Sequence, residues 1–394
     1  MTSPDKVVIV GAGQAGLQTA EALRAMGYPG SITLLGAERC GPYHRPPLSK
    51  AWLAGEMAAE QLTMRSPDAL ERKGIALRTD VQATGIDIGR RFVRLADGGA
   101  LSYDALVLAT GASPRMLDIP GRDATGVLAL RSMEDARAIA QRLALCAQSN
   151  RPMVIVGGGF IGLEVAATAR KKGVAVTVLE VAPRLLGRVL APMLSEWYAQ
   201  LHRWHGVNLV VNARIAAFET GADGQVCGVQ MNDGTLLPAG LVIVGVGVQA
   251  NDGLARAAGL ACDRGIVVDA SARTSNPYIF AAGDCTARST SEGTLLRLES
   301  VQNAVEQGKS AAAAVMGQER PFAAAPWFWS DQYDIKLQIA GLSTGADRWE
   351  TRGEPDSGSF SVYHYCGDRL LAVDSINDAR EHLQARKRLD GECT

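Results

Sequence analysis

Cysteine is scarce and scattered: seven residues in 394, at Cys40, Cys146, Cys227, Cys262, Cys285, Cys366 and Cys393, with no CxxC and no two closer than 23 positions. That spacing excludes a local zinc knuckle, a ferredoxin-type iron–sulfur cluster and a thioredoxin-like dithiol, and the odd count points to reduced thiols. Histidine is scarcer, at five residues. His202 and His205 could share a helix face, but no third ligand is near, so they read as surface residues and no metal is expected. Neither sign of charge dominates: 40 Lys plus Arg against 41 Asp plus Glu gives a net charge of -1. Global electrostatics therefore give no reason to bind nucleic acid or an anionic membrane. Long apolar runs are also lacking. The stretches 154–163 and 241–248 are short and interrupted by glycine, below the roughly 20 residues a membrane helix needs. A strand-like run begins at Lys6 with no targeting segment before it, and a cytoplasmic monomer is the expectation.

What is present is a globular composition, 47% hydrophobic with 43 glycines, in a chain long enough for two or three domains. An internal duplication organises it. Residues 7–17 read VVIVGAGQAGL and residues 153–163 read MVIVGGGFIGL, matching Gly11, Gly13 and Gly16 with Gly157, Gly159 and Gly162. Each copy is a buried strand, a GxGxxG turn, an alanine-rich helix (17–26 and 163–172), a closing glycine and a second strand (31–35 and 175–179). This is a β-α-β dinucleotide-binding unit. Its first glycine allows the tight turn, and its second removes the Cβ that would block a pyrophosphate. The third lets helix and strand pack closely, so the anion meets unsatisfied N–H groups at the helix start. Ala15 belongs to the first turn, Phe160 and Ile161 to the second, and Gly247 to a later glycine-rich strand end.

The second copy ends its second strand at Glu180, where a carboxylate would accept hydrogen bonds from the adenosine ribose hydroxyls and repel a 2′-phosphate. That favours NADH over NADPH, with Arg184 the nearest opposing cation. In the first copy Gly36 stands where the acid should be, leaving Glu38 as the substitute ribose ligand or as a solvated turn carboxylate. Two facing dinucleotide sites, one tight and one exchangeable, follow the logic of a flavoprotein reduced by a pyridine nucleotide. Residues 103–112 (YDALVLATGA) place Ala109, Thr110 and Gly111 after a strand. Residues 275–285 (SNPYIFAAGDC) place Gly283 and Asp284 after another, where Asp284 could hold a ribityl hydroxyl.

At these residues the sequence resembles the two-dinucleotide-binding-domain flavoprotein reductases of the glutathione-reductase fold, and within them the ferredoxin reductases of bacterial oxygenase systems. The resemblance runs over nearly the whole chain and is most particular at 42–50 (PYHRPPLSK), 297–308 (RLESVQNAVEQG) and 326–333 (PWFWSDQY). The RPPLSK segment is also similar to that of apoptosis-inducing flavoproteins. The resemblance implies a tightly but non-covalently held FAD and NADH as exchangeable co-substrate. It places Arg45 on the diphosphate or adenine side, Lys50 at the flavin N5 and O4 edge, and Glu164 as the lysine's partner near the nicotinamide. It puts Trp329 near the flavin and the partner's docking face, and Glu299, Ser300 and Val301 at the flavin's pyrimidine edge, where a helix N-terminus would stabilise the anionic reduced ring. Pro46 and Pro47 are expected to block a helix there, and Phe328 to join the core.

The implied activity is an NADH-dependent reductase that passes electrons singly to a small iron–sulfur ferredoxin, expected to be of the [2Fe-2S] type, serving a monooxygenase or ring-hydroxylating dioxygenase. Two alternatives stand beside it: an NADH oxidase or peroxidase cycling Cys40 through sulfenic acid, and a redox-sensing NADH-binding flavoprotein. Docking of an acidic ferredoxin would draw on Arg297, Lys336 and the terminal helix with Arg380, Arg386, Lys387 and Arg388. The fold class expected is α/β, with two Rossmann-like domains and a C-terminal α+β domain. The layout is FAD in 1–112 and 248–321, NAD in 113–247, and the last domain in 322–394.

Overall fold

The computed structural model describes residues 4–290, 293–322 and 324–392; Cys393 lies outside them. The chain divides into two compact units, Met1–His44 with Leu62–Ser113 and Gln249–Pro326, and Arg45–Gln61 with Pro114–Val248 and Trp327–Thr394.

The first unit is built on five parallel strands in the order Ile279–Ala281, Ala105–Leu108, Lys6–Val10, Ser31–Leu35, Ile75–Arg78. The Lys6–Val10 strand is buried from Val7 onward and Ala105–Leu108 throughout, as a parallel sheet covered on both faces requires. Each such aliphatic side chain contributes about 1.5–3 kcal/mol by leaving water. The Gln14–Ala25 and Val301–Val315 helices pack on each other in this unit.

The second unit repeats the parallel theme in the order Val207–Val210, Val176–Leu179, Met153–Val156, Leu241–Val244, Val127–Leu128. It also holds an antiparallel five-stranded sheet, ordered Trp327–Gln332, Ile335–Gly341, Arg369–Ile376, Ser359–Cys366, Arg348–Glu354, with the Ala379–Glu392 helix packed on it.

Two local readings need correction. The glycine-turn helices begin three residues earlier than their alanine-rich stretches, at Gln14 and Phe160, because Gly13 and Gly159 are themselves the N-caps. The prolines of RPPLSK do not exclude helix: Pro46–Ser49 is a 3-10 turn with proline in its first turn, where the missing N–H is not needed.

Candidate functional site

In the first unit Gly11 holds φ +115°, and a Cβ there would lie 2.0 Å from the Ala109 carbonyl oxygen. A Cβ on Gly16 would lie 1.8 Å from the Gly11 oxygen. Gly13 is different: a Cβ built on it meets nothing within 4 Å. The turn is therefore closed on its protein side and open at its middle glycine. The helix that follows has no side-chain cap, so its first N–H groups remain available to an anion. Ala15 is buried, and a Cβ on Gly283 would come within 2.9 Å of its methyl, which brings the Gly283–Asp284 turn to the helix start.

Residues outside the motif fix these turns. Gln307 Oε1 accepts from the Gly283 N–H at 2.8 Å, Thr286 Oγ1 at 3.0 Å and Asn303 Nδ2 at 3.2 Å, all buried. Asn251 ties down the Ala109–Thr110–Gly111 turn: its carbonyl accepts from Thr110 Oγ1 at 2.6 Å, and its Nδ2 donates to the Thr110 carbonyl at 2.9 Å. Gln307 and Asn303 lie in the 297–308 segment, whose motif does not by itself mark them as turn anchors. Asn251 carried no local signal. Ser300 caps the Val301–Val315 helix, accepting from the Asn303 N–H at 3.1 Å. Glu299 is half-exposed and paired with Arg297 at 2.9 Å. Glu38, half-buried, accepts from the Tyr43 hydroxyl at 2.6 Å, so it is oriented by the protein. Cys40 is exposed. Burial pushes the Cys285 thiol pKa up, which makes it a poor nucleophile.

The second unit repeats the turn. A Cβ on Gly157 would lie 2.4 Å from the Gly245 oxygen and one on Gly162 would lie 2.4 Å from the Gly157 oxygen, while Gly159 is open. Glu180 is held by two backbone donors, Gly158 N–H at 2.6 Å and Ala182 N–H at 2.8 Å. Arg184, the cation that could have favoured a 2′-phosphate, is turned into its own loop. It donates to the Leu190 carbonyl at 2.6 Å, Ser195 Oγ at 2.7 Å and the Gly187 carbonyl at 2.7 Å. Ile161 is exposed, and Gly247, at φ +103°, is open like Gly159.

Lys50 and Glu164 meet in this unit. Lys50 Nζ donates to Glu164 Oε2 at 2.6 Å, the lysine side chain 18% exposed and the glutamate 4%. Ser49 Oγ donates to the same oxygen at 2.5 Å and Ser330 Oγ to Oε1 at 2.6 Å. A buried carboxylate so surrounded has its charge compensated and its rotamer fixed. Arg45 donates to the Arg131 carbonyl at 2.7 Å.

Phe328 is half-buried, its ring 4.8 Å from Phe160. It lies on the edge strand Trp327–Gln332, so it packs at the glycine turn and not in the core. Trp329 alternates to the other face of that strand, where it neighbours Trp327 at 5.5 Å. His202 is not a surface residue either. It is fully buried, with Nε2 2.8 Å from Gln332 Oε1 and Nδ1 3.2 Å from the Tyr333 hydroxyl. Its partners come from a strand end and the turn after it, more than a hundred residues away, which helical periodicity does not reveal. Among the described residues no cluster of three or more metal-ligating side chains occurs.

Residues 5–308 match the family model described as pyridine nucleotide-disulphide oxidoreductase, and residues 327–393 that described as reductase C-terminal. The chain is 46% identical to putidaredoxin reductase CamA of Pseudomonas putida over 98% of its own length and 92% of the relative's. It is 43% identical to rhodocoxin reductase of Rhodococcus erythropolis, over 97% and 88%. Among solved structures it is similar to the covalent putidaredoxin reductase–putidaredoxin complex, with a TM-score of 0.94 and 45% identity, over 98% of this chain and 93% of that one. The ferredoxin reductase for the CYP199A2 system from Rhodopseudomonas palustris also gives a TM-score of 0.94, at 41% identity over 98% and 95%.

Proposed function

Because the chain belongs to the pyridine nucleotide-disulphide oxidoreductase family and carries its reductase C-terminal region, we infer that it is an FAD-containing reductase that takes hydride from NADH and delivers electrons singly to an iron–sulfur ferredoxin of an oxygenase system. The observation that carries this reading is the pair of glycine turns, each closed toward protein and open at Gly13 or Gly159 before an uncapped helix. The residues present fit two pyrophosphates. When bound, FAD supplies the conversion of a hydride into single electrons.

The chain's own groups supply binding and field. Gly11, Gly13, Ala15 and Gly16, with Ala109, Thr110, Gly111, Gly283 and Asp284, form the FAD cradle, and Glu38 accepts from the adenosine ribose. Arg45 serves its diphosphate or adenine side. Ser300 and Val301 present the N-terminal end of a 15-residue helix, whose positive end favours a reduced, anionic flavin; Glu299 lies beside it. Gly157, Gly159, Phe160, Ile161, Gly162 and Gly247 form the NADH cradle. Glu180 accepts from its ribose, and with Arg184 engaged in its own loop NADH is favoured over NADPH. Lys50 and Glu164 act as a pair at the flavin and nicotinamide edge. Trp329 stands on the side of electron exit. This assigns FAD to 1–112 and 248–321, NADH to 113–247, and the remaining 322–394 to a C-terminal α+β domain. A monomer in the cytoplasm completes the proposal; among the described residues no helix is long and apolar enough to cross a membrane.

For ferredoxin docking, Lys336 is exposed, whereas Arg297 is mostly buried and paired with Glu299, and Arg386 lies over the Trp327 ring at 4.8 Å. Lys336→Glu is expected to raise the KM for a [2Fe-2S] ferredoxin at low salt while NADH-to-ferricyanide turnover is unchanged. Equal loss of both activities contradicts the docking role.

A further inference from the structure

Glu164 is one end of a longer buried chain. Its carboxylate only accepts, so the single Ser330 hydroxyl hydrogen goes to Oε1, at 2.6 Å. The atom of Gln332 facing Ser330, at 3.2 Å, must then be its NH2 donor, which turns Gln332 Oε1 toward His202. That oxygen also only accepts, so His202 carries its proton on Nε2 and leaves Nδ1 to accept from the Tyr333 hydroxyl, at 3.2 Å. Burial, followed by the nearby His205, holds the His202 pKa down to about 4 against the opposing effect of the Gln332 hydrogen bond, and burial raises that of the Tyr333 phenol. Both groups are neutral at pH 7, as this direction of donors requires.

All four donors point the same way, from Tyr333 through His202, Gln332 and Ser330 to Glu164 Oε1. Such a polarised chain strengthens each bond in turn and fixes the rotamer of the last acceptor. A second observation is independent of the hydrogen bonds. Tyr333 is the first of two residues linking Trp327–Gln332 to Ile335–Gly341, and it holds φ +59°, a left-handed conformation costly for a residue with a side chain. Its ring is stacked on His205 at 3.6 Å and 9°, which keeps the hydroxyl on His202. The amide of Gln332 has no proton to pass on at neutral pH, so the chain transmits orientation and not protons.

We propose that His202 and Gln332, backed by Tyr333, are positioning residues for the Lys50–Glu164 ion pair, holding the carboxylate in the rotamer that places the lysine ammonium. This rests on the assignment of Lys50 and Glu164 to the flavin and nicotinamide edge. Four variants test it, each loaded with FAD and mixed anaerobically with NADH in a stopped-flow instrument. His202→Phe and Ser330→Ala break the chain at different links, His202→Gln keeps an N–H near the original Nε2 position, and Glu164→Gln tests the underlying assignment. The expected result is a flavin reduction rate about tenfold lower for His202→Phe and Ser330→Ala, with His202→Gln within about twofold of the native protein. Independently of activity, the nitrogen-15 spectrum of the native protein should show the His202 ring neutral and protonated on Nε2 at pH 7. If Glu164→Gln slows the step while Ser330→Ala does not, or if His202→Gln is as slow as a folded His202→Phe, the positioning role is overturned and the ion-pair assignment stands. If Glu164→Gln leaves the step unaltered, the assignment itself fails. A ring protonated on Nδ1 overturns the chain directly.

Discussion

The two glycine turns share a sequence pattern and a backbone but differ in how they hold the acid proposed to meet the adenosine ribose. In the second, the acid stands at the end of the neighbouring strand, and Glu180 is locked there by the N–H of Gly158, a residue of the glycine turn itself. In the first, Gly36 occupies the corresponding position and Glu38 is oriented from outside the turn by the Tyr43 hydroxyl. One motif can therefore be built with its acid wired into the anion cradle or with its acid on a separate loop. A turn whose acid is anchored away from the cradle is suited to a cofactor that stays. One whose acid and cradle share a hydrogen bond reads ribose and pyrophosphate together, which suits a cofactor that must be recognised at each turnover.

The largest expected effect breaks both turns at their closed glycines. Gly11→Ala puts a methyl 2.0 Å from a backbone oxygen at a positive φ, and Gly157→Ala one at 2.4 Å. Both should lose several kcal/mol of stability, on the scale of a severe core clash, seen as loss of soluble folded protein in thermal melts. Gly13→Ala and Gly159→Ala face open space and should melt close to the native protein. Gly13→Ala should nevertheless be purified with less FAD, and Gly159→Ala should bind NADH more weakly with FAD retained. If Gly13→Ala retained full FAD, the open glycine would not be the cradle.

Next in size, Glu180→Ala should raise the KM for NADH about tenfold with FAD content unchanged, whereas Glu38→Ala should weaken FAD retention only modestly, because the Tyr43 hydroxyl loses an acceptor but the cradle is intact. Equal effects of Glu38→Ala on both cofactors would erase the distinction between the two turns.

Acid sharpens the comparison further. In the second unit His202 and His382 have pKa values lowered to about 4 by burial, and His205 is lowered as well. A histidine held below its ordinary value of 6.5 takes up protons more readily when unfolded, so its contribution is present above pH 6.5 and is lost as pH falls from there toward 4. The buried Asp374 carboxyl, raised by desolvation, works in the opposite sense. In the first unit the lowered carboxyls among the described residues are Glu21 and Glu306, whose pairing with Lys and Arg outweighs their partial desolvation; their contribution is lost only below the usual 4.5. Hydrogen exchange between pH 7 and 5 should therefore show protection falling in the second unit before the first. Simultaneous loss in both would contradict this ordering.

Much of this was legible in the sequence. The duplicated strand–turn–helix pattern is local, set by glycine spacing and buried strands, and it located both parallel sheets. Lys50 and Glu164 were paired on the strength of a short motif, and the structure places them 2.6 Å apart. What the sequence hid is long-range. His202 looked exposed because nothing in its helix announces that Gln332 and Tyr333 cover it. Phe328 looked like core because hydrophobicity does not reveal that its strand lies at a sheet edge. Arg184 looked like a possible phosphate ligand because a loop that turns an arginine onto its own carbonyls leaves no sequence signal.

The most direct test is anaerobic titration of the purified protein with NADH, monitored at the flavin absorbance, followed by addition of an oxidised [2Fe-2S] ferredoxin. The expected result is a yellow protein bleached by about one equivalent of NADH and recoloured as the ferredoxin is reduced. A colourless protein that takes up no FAD on reconstitution, or a flavin that NADH leaves oxidised, would contradict it.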